Sequence, residues 1–354
     1  MPQALMVKNT KRKPLFKYLL MDSTTSKNIL SVNKIAFNYP NSTQFKGISN
    51  VSLTAEPGKI LAIIGKSGSG KTTLLKCIYG LEDLHEGQIT IGNKLVLGPA
   101  YNLIPGHADM RFVSQDFYVL DNHTVEENIK DKLMGYTDEY KQKRANQLLR
   151  LLDLTPYKSL KAVTLSSGQK QRVAIARSLA EFPKVLLLDE PFSNLDLPLR
   201  DKIFTYIRQQ IKKENAAVIL VTHQPEEALR YADETAVMEN GKLIQHDETF
   251  KVYYQPKTKN VAALMGRYFI LDQEDLISSK VKLSKNQTYI RPNQLQVVDT
   301  KAQAHIQVTV TNVFFNGYGY EYFAETKQGN SVYFYAKDNT IQIDNAVYLK
   351  VKWY

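Results

Sequence analysis

The sequence predicts an α/β fold, built on a largely parallel sheet covered on both faces and followed by a small all-β domain. Three observations carry this. From residue 28 to residue 231, strand-like and helix-like segments alternate, the order that builds βαβ crossovers. The strand-like segments include "ILAIIG", "VLLLD" and "AAVILV", continuous apolar runs of the kind found in strands buried on both faces. Near residue 270 the character changes to short, alternating, β-branched and aromatic segments separated by Gly, Asn and Asp, which suggest a small barrel.

Taken in order, "NILSVNKIAF" (28–37) reads as a strand, and "GISNVSLTAEPGKILAIIG" (47–65) as two strands around a Pro-Gly turn. A helix follows from Lys71 to Tyr79, then a hairpin in "GQITIGNKLV" and a strand in "MRFVSQ". Residues 124–180 read as mostly helical, with breaks at Pro156 and at Thr164–Ser167. "KVLLLDE" is a buried strand, 199–213 a basic helix, "AAVILVTH" a further buried strand and 225–231 a short helix. The C-terminal strand candidates are "TYIRPNQLQVV", "AHIQVTVTNVFF", "YEYFAET", "SVYFYAK" and "AVYLKVKW".

Composition narrows the class. The 354 residues suffice for two domains, and 43% hydrophobic with 23% charged residues is an ordinary globular mixture. No apolar run reaches the roughly 20 residues that span a bilayer, so any link to a membrane is expected through a partner. Cys77 is the single cysteine. It permits no intrachain disulfide, fits a reducing compartment and reads as core. The net charge of +11 invites a nucleic-acid or membrane-surface reading. The lysines are spread widely, however, and only Lys8–Lys17 is dense. Residues 1–27 are expected to be a basic, poorly ordered extension, contact with anionic lipid or an acidic partner being the alternative. Their short apolar stretch carries Lys17 and makes a poor signal peptide. Regular patterning begins only near Ile29, so Met21 is an alternative start.

Two motifs carry chemistry by themselves. "GKSGSGKT" (65–72) fits G-x-x-x-x-G-K-T between a buried strand and a helix. Its residues Gly65, Lys66, Ser67, Gly68, Ser69 and Gly70 form a loop whose N–H groups can curl around nucleotide phosphates. Lys71 adds a point charge, Thr72 can offer a hydroxyl to Mg²⁺, and Thr73 follows on the helix. "VLLLDEP" (185–191) brings two carboxylates to the C-terminal end of a buried strand, where ligands sit in open α/β sheets. Asp189 can hold Mg²⁺, and Glu190 is free to polarise an attacking water. A third segment, "LSSGQKQR" (165–172), reads as a helix start with hydroxyl residues and a glycine. Such an end also suits an anion, which raises the question of what a second one is for.

With these motifs in place the chain resembles the ATP-binding subunit of an ABC transporter, over roughly residues 28–265. "LSSGQKQR" is similar to that family's signature sequence, Gln115 in "FVSQD" to the Q-loop, "SNLD" with Asp196 to the D-loop, and His223 in "VTHQPEEAL" to the switch histidine. Tyr39 in "FNYP" is similar to the aromatic that stacks on adenine. Singly, these residues could be a surface glutamine, a helix cap, a strand-end histidine and a loop aromatic. The resemblance implies a P-loop NTPase core at 28–268 with a helical subdomain at about 116–180, and a C-terminal β regulatory domain at 269–354. The latter resembles the oligonucleotide-fold-like (TOBE-like) domain of several bacterial import ATPases, where "IRP" before an apolar strand is usual.

The resemblance further implies ATP and Mg²⁺ as cofactors, with Thr72, Gln115 and Asp189 at the metal and Glu190, His223 and Gln115 in catalysis. Two such subunits face head to tail. Ser166, Ser167, Gly168 and Gln169 would then serve the partner's ATP, with Ser167 standing where the family usually has a second glycine. The implied partners are a second ATPase subunit, integral membrane permease subunits and a solute-binding protein, with no nucleic acid. The implied place is the cytoplasmic face of the inner membrane. Substrates of similar systems include ferric iron, polyamines, sulfate and sugars. An exporter subunit or a non-transport ABC ATPase is the alternative.

Overall fold

The computed structural model describes residues 28–40, 47–277 and 289–354. The expected N-terminal extension lies outside the described residues. Four strands, β1 (Leu30–Asn38), β2 (Gly47–Ala55), β4 (Glu86–Ile91) and β5 (Lys94–Leu95), form an antiparallel sheet in the order β2-β1-β4-β5. The expected hairpin is its β4–β5 corner. That these strands form a separate sheet departs from the expectation. A signal for it is present in β1, where buried and accessible residues alternate imperfectly, as they do in a strand with one wet face.

The second sheet has the order β10-β9-β3-β8-β7-β6 and uses β3 (Ile60–Ile64), β6 (Met110–Val113), β7 (Val185–Asp189), β8 (Ala217–Thr222), β9 (Glu234–Glu239) and β10 (Lys242–Glu248). All its pairs are parallel except β9–β10. Side chains on successive residues point to opposite faces, and the cores divide accordingly. Along β7, Leu186 and Leu188 join one core and Val185 and Leu187 the other. Helices α3 (Asp138–Leu151), α4 (Ser167–Ala180) and α5 (Leu197–Lys213) fill the first core with Leu148, Ile175 and Ile203. The second is closed by α1 (Lys71–Tyr79) and by the antiparallel sheet, through Leu74, Leu75, Leu30 and Ile35. One face of the parallel sheet is thus covered by helices, the other largely by a second sheet.

The helical stretch expected over 124–180 is α2 (Val125–Lys130), α3 and α4, joined by short 3₁₀ turns. Pro156 lies in one of these turns and Thr164 ends another. Past β8 come α6 (Pro225–Tyr231), α7 (Thr249–Tyr254) and α8 (Lys259–Leu264), whose Ala228, Val252 and Val261 pack on Ala62 and Ile64 of β3. Among the described residues no helix is long and apolar enough to cross a membrane.

The C-terminal region is all β. Strands β11 (Phe269–Ile270) and β12 (Tyr289–Ile290) pair with each other. The five strands β13 (Leu295–Val298), β14 (Ile306–Phe315), β15 (Tyr320–Thr326), β16 (Ser331–Ala336) and β17 (Ala346–Val351) make an antiparallel sheet ordered β13-β17-β14-β15-β16. Val308, Val310, Tyr322, Phe334 and Leu349 share one core. "TYIRPNQLQVV" is not a single strand. Pro292 has no N–H to give a ladder, and residues 292–294 form a 3₁₀ turn in which the Arg291 N–H donates to Gln294 Oε1. The Arg291 side chain is wholly buried. Its Nε donates to Tyr253 O, and its Nη1 to Ala262 O, Gly266 O and Arg267 O, at 2.8–3.1 Å. The guanidinium lies 4.3 Å over the Tyr253 ring, and burial pulls its pKa down to about 10.

Candidate active site

At the C-terminal end of β3 the chain turns through residues 65–70 into α1. The turn needs glycine in two ways. Gly70 has φ +99°, a region that side chains avoid. A Cβ on Gly65 would come within 2.4 Å of Met238 O and 2.5 Å of Ser69 Oγ. Gly70 is the N-cap of α1, and no side chain caps the helix, so its first N–H groups stay open to an anion. Lys71 is buried and donates from Nζ to Gly65 O at 2.8 Å and to Lys66 O at 3.0 Å. Burial lowers its pKa, against the opposing pull of Glu190 and Asp189.

Asp189 ends β7 almost wholly buried, and neither carboxylate oxygen closes a hydrogen bond of good geometry. Burial raises its pKa, and the neighbouring Thr72 hydroxyl opposes this. An orphaned buried carboxyl beside a hydroxyl is costly and is what a hard cation would relieve. Glu190 follows with φ +48°, an uncommon conformation for a residue with a side chain. Its N–H donates to Val221 O at 3.0 Å, and its Oε2 lies 3.0 Å from Nδ1 of His223, just past β8.

Tyr39, Ser67, Gly68, Ser69, Gly70, Lys71, Thr72, Thr73, Gln115, Glu190 and His223 line one cleft of about 520 Å³, together with Gly47. Of the expected own-site residues, Gly65 and Lys66 lie behind it as acceptors for Lys71, and Asp189 is buried next to Thr72. The Tyr39 hydroxyl is 3.1 Å from Thr73 Oγ1, and its ring stands edge-on to Phe37.

The chain does not bring Ser166, Ser167, Gly168, Gln169 or Asp196 to this cleft. Ser166 caps α4 in a capping box: its Oγ accepts from the Gln169 N–H and its N–H donates to Gln169 Oε1. The S-x-x-Q spacing carries that signal. Asp196 caps α5, accepting from the Leu199 N–H at 3.1 Å.

Three residues around the site, Gln171 and Glu227 buried and Arg200 half-buried, escape sequence reasoning. Gln171 on α4 donates to Pro191 O at 2.6 Å. Arg200 on α5 donates to Phe192 O, Leu195 O and Gln224 Oε1, and pairs with Glu227 at 2.7 Å. Burial raises the Glu227 pKa, countered first by the Thr222 hydroxyl and then by Arg200. No periodicity marks such residues, because each joins segments distant in sequence.

The chain is similar to known proteins over most of its length. The family described as ABC transporter matches residues 48–193. A Fe(3+) ions import ATP-binding protein of Pectobacterium atrosepticum is 34% identical over 286 residues, covering 77% of this chain and 82% of its own length. A sulfate/thiosulfate import ATP-binding protein of Mesostigma viride is 34% identical over 287 residues, covering 77% and 81%. Among solved structures, a dimeric ATP-binding cassette in a post-hydrolysis state, bound to ADP and Pi, matches with a TM-score of 0.55 at 28% identity. It covers 62% of this chain and 98% of its own.

Proposed function

Because this chain belongs to the ABC transporter family, as a subunit that binds and hydrolyses ATP, we propose that it drives import of a solute through a membrane permease by closing and opening against a second ATPase subunit. The observation that carries the reading is the convergence of Lys71, Gln115, Glu190 and His223 on one cleft, with Asp189 buried beside Thr72. ATP would lay its phosphates on the open N–H groups of residues 67–73 and its adenine against Tyr39. Lys71 exchanges its two carbonyl acceptors for phosphate oxygens.

Asp189, Thr72 and Gln115 are oxygen donors suited to Mg²⁺. Among the described residues no cluster of three His, Cys, Asp or Glu could hold a metal ion, so a cation here would keep waters and take phosphate oxygens as well. When bound, Mg²⁺ neutralises charge on the phosphates. Glu190 would accept the proton of the attacking water as its oxygen bonds the γ-phosphorus and the bond from that phosphorus to the β,γ-bridging oxygen breaks, leaving ADP and phosphate. His223 has Nδ1 against Glu190, which leaves Nε2 as the nitrogen to face that phosphate.

Ser166, Ser167, Gly168, Gln169 and Asp196 would act on the ATP of the second subunit. Support comes from their place outside the cleft and from Gly168, where an added Cβ meets nothing nearer than Asn194 O at 3.9 Å. The chain's own packing does not require glycine there. That one of the structural matches is a dimeric cassette supports a second ATPase subunit. The helical stretch 124–165 would dock the permease at the cytoplasmic face of the inner membrane, with Gln115 sensing both Mg²⁺ and the membrane subunits. A solute-binding protein would deliver the cargo, and residues 269–354 would regulate the ATPase domain at 28–268. The two import relatives are named for Fe(3+) and for sulfate/thiosulfate; cargo is not chosen in this cleft.

The test is Glu190→Gln. Turnover should fall roughly 10²–10⁴-fold while ATP still binds, and an ATP-bound dimer should accumulate on gel filtration. Near-normal hydrolysis in that variant overturns the reading.

A further inference from the structure

The loop that follows Glu190 is held from a direction that the reaction itself does not explain. Gln171 sits one turn into α4 and is wholly buried. Its Nε2 donates to Pro191 O at 2.6 Å, while its Oε1 is buried without a partner. A buried amide that leaves one polar atom unsatisfied is a poor choice for stability alone. An apolar side chain of similar length would lose one hydrogen bond and remove one orphaned oxygen.

What this bond holds is the Pro191–Phe192 peptide, one residue past a strained one. Glu190 has φ +48° and precedes a proline, which narrows its backbone freedom further. A residue in so sparsely populated a region stays there only when its surroundings overdetermine it. On the N-terminal side, the Glu190 N–H is held by Val221 O at 3.0 Å. On the C-terminal side, Pro191 has no N–H to contribute, so its carbonyl is the handle, and Gln171 takes it. The strain is therefore gripped from β8 on one side and from α4 on the other. Helix α4 is the one whose first turn carries Ser166–Gln169.

We propose that Gln171 is a positioning residue for ATP hydrolysis. It ties the helix that begins with "SSGQ" to the Pro191–Phe192 peptide, one residue past Glu190, so that the position of this helix sets the aim of the Glu190 carboxylate. The inference rests on Glu190 being the base. It adds a path by which a ligand engaged at the N-terminus of α4 is felt at the chain's own cleft.

Gln171→Met keeps the length and removes the donor. On the full chain it should lower kcat about three- to ten-fold, the range of one buried hydrogen bond. The KM for ATP should stay within about two-fold and the melting temperature close to wild type. The decisive readout is the double variant with Glu190→Gln, followed by single-turnover hydrolysis. If Gln171 acts through Glu190, adding Gln171→Met to Glu190→Gln costs nothing further. If the glutamine merely fills the core, the two losses multiply, and the proposal is overturned. It is also overturned if Gln171→Met keeps wild-type kcat. Should Gln171→Met fail to fold, Gln171→Asn, which draws the amide back from Pro191, takes its place with the same expectations. Glu190→Gln alone separates the two ideas. If that variant hydrolyses normally, the base assignment falls. If it is inactive while Gln171→Met is not, only the present inference falls.

Discussion

The starts of α1 and α4 are alike in composition, each with glycine, serine and a basic residue within a few positions, yet they are opposites in structure. The first has a left-handed glycine at its N-cap and no capping side chain. The second is closed by a reciprocal capping box, Ser166 with Gln169. The α1 end leaves its donors open inside a cleft and keeps a buried lysine and a buried carboxylate beside them. The α4 end satisfies the Gln169 N–H with its own serine, and Ser166 and Ser167 are exposed. The contrast fits the proposed roles: the uncapped end would take a ligand in the chain's own cleft, and the capped, exposed end one held by a second subunit.

Mixing variants breaks or sharpens this contrast most strongly. Lys71→Ala and Ser166→Arg should each cost roughly 10²-fold or more in hydrolysis as homodimers, since every composite site is damaged. In a mixed dimer one site carries both defects and the other none, so combining two inactive proteins should restore hydrolysis. Single-turnover measurement, with crosslinking to confirm mixed dimers, reads this. Mixed dimers that form without turning over even once would mean that both helix ends serve the same ATP.

Next in size is the cost of the open site. Burial lifts the Asp189 pKa above its ordinary value, so the native state holds that proton longer than the unfolded chain. Stability contributed by this group is then highest at low pH and is lost as pH rises from about 4 through the raised value. Asp189→Asn does not titrate. In the ligand-free protein it should therefore gain stability at neutral pH, on the order of 1–3 kcal/mol, and the gain should vanish below about pH 4. Chemical denaturation at two pH values measures it; a loss of stability at neutral pH would show that the carboxylate is already compensated.

At α4 the effects are smaller and of opposite sign. Ser166→Ala removes a satisfied cap and should cost about 1 kcal/mol in the ATP-free protein. Gly168→Ala should raise stability slightly, by up to about 1 kcal/mol, because the added methyl meets nothing nearer than Asn194 O at 3.9 Å in the single chain. It should nevertheless lower hydrolysis, because the crowding arises in the dimer. A thermal melt paired with an activity assay separates the two consequences.

Much of the contrast is legible in the amino-acid order alone. The phosphate loop is contiguous, and each of its residues is confined by its neighbours, so eight letters suffice. The apolar runs of β3, β7 and β8 announce burial on both faces, which only a covered sheet provides. What stays illegible depends on pairing at a distance. Nothing local says that β1 joins β2 and β4 in a sheet of their own, because strand propensity says how well a segment fits a pleat and not which partner it takes. Strands β9 and β10 and helices α7 and α8 escape notice for a similar reason. "ETAVMEN" and "KLIQHDE" are short and mixed in polarity, and their order comes from adding to an existing edge beside β3. Gln171 and Arg200 look like solvated helix residues until the loops they hold are folded against them.

Arg291 bears on how tails could be exchanged among such ATPases. The change in composition near residue 270 suggests a seam near Met265, but two of the four carbonyls that hold the guanidinium, those of Tyr253 and Ala262, lie before that seam, and those of Gly266 and Arg267 just after it. A tail grafted at that seam brings a buried cation and depends on its new host for half of the acceptors and for the Tyr253 ring. Every residue has a carbonyl, so the demand falls on where α7 and α8 stop rather than on their composition; only the Tyr253 ring is specific. The same two helices also pack Val252 and Val261 against β3, so they cannot travel wholly with the tail. Shuffling should therefore work between relatives that keep the lengths of these two helices, and a one-residue insertion in either should disable a graft that tolerates many substitutions.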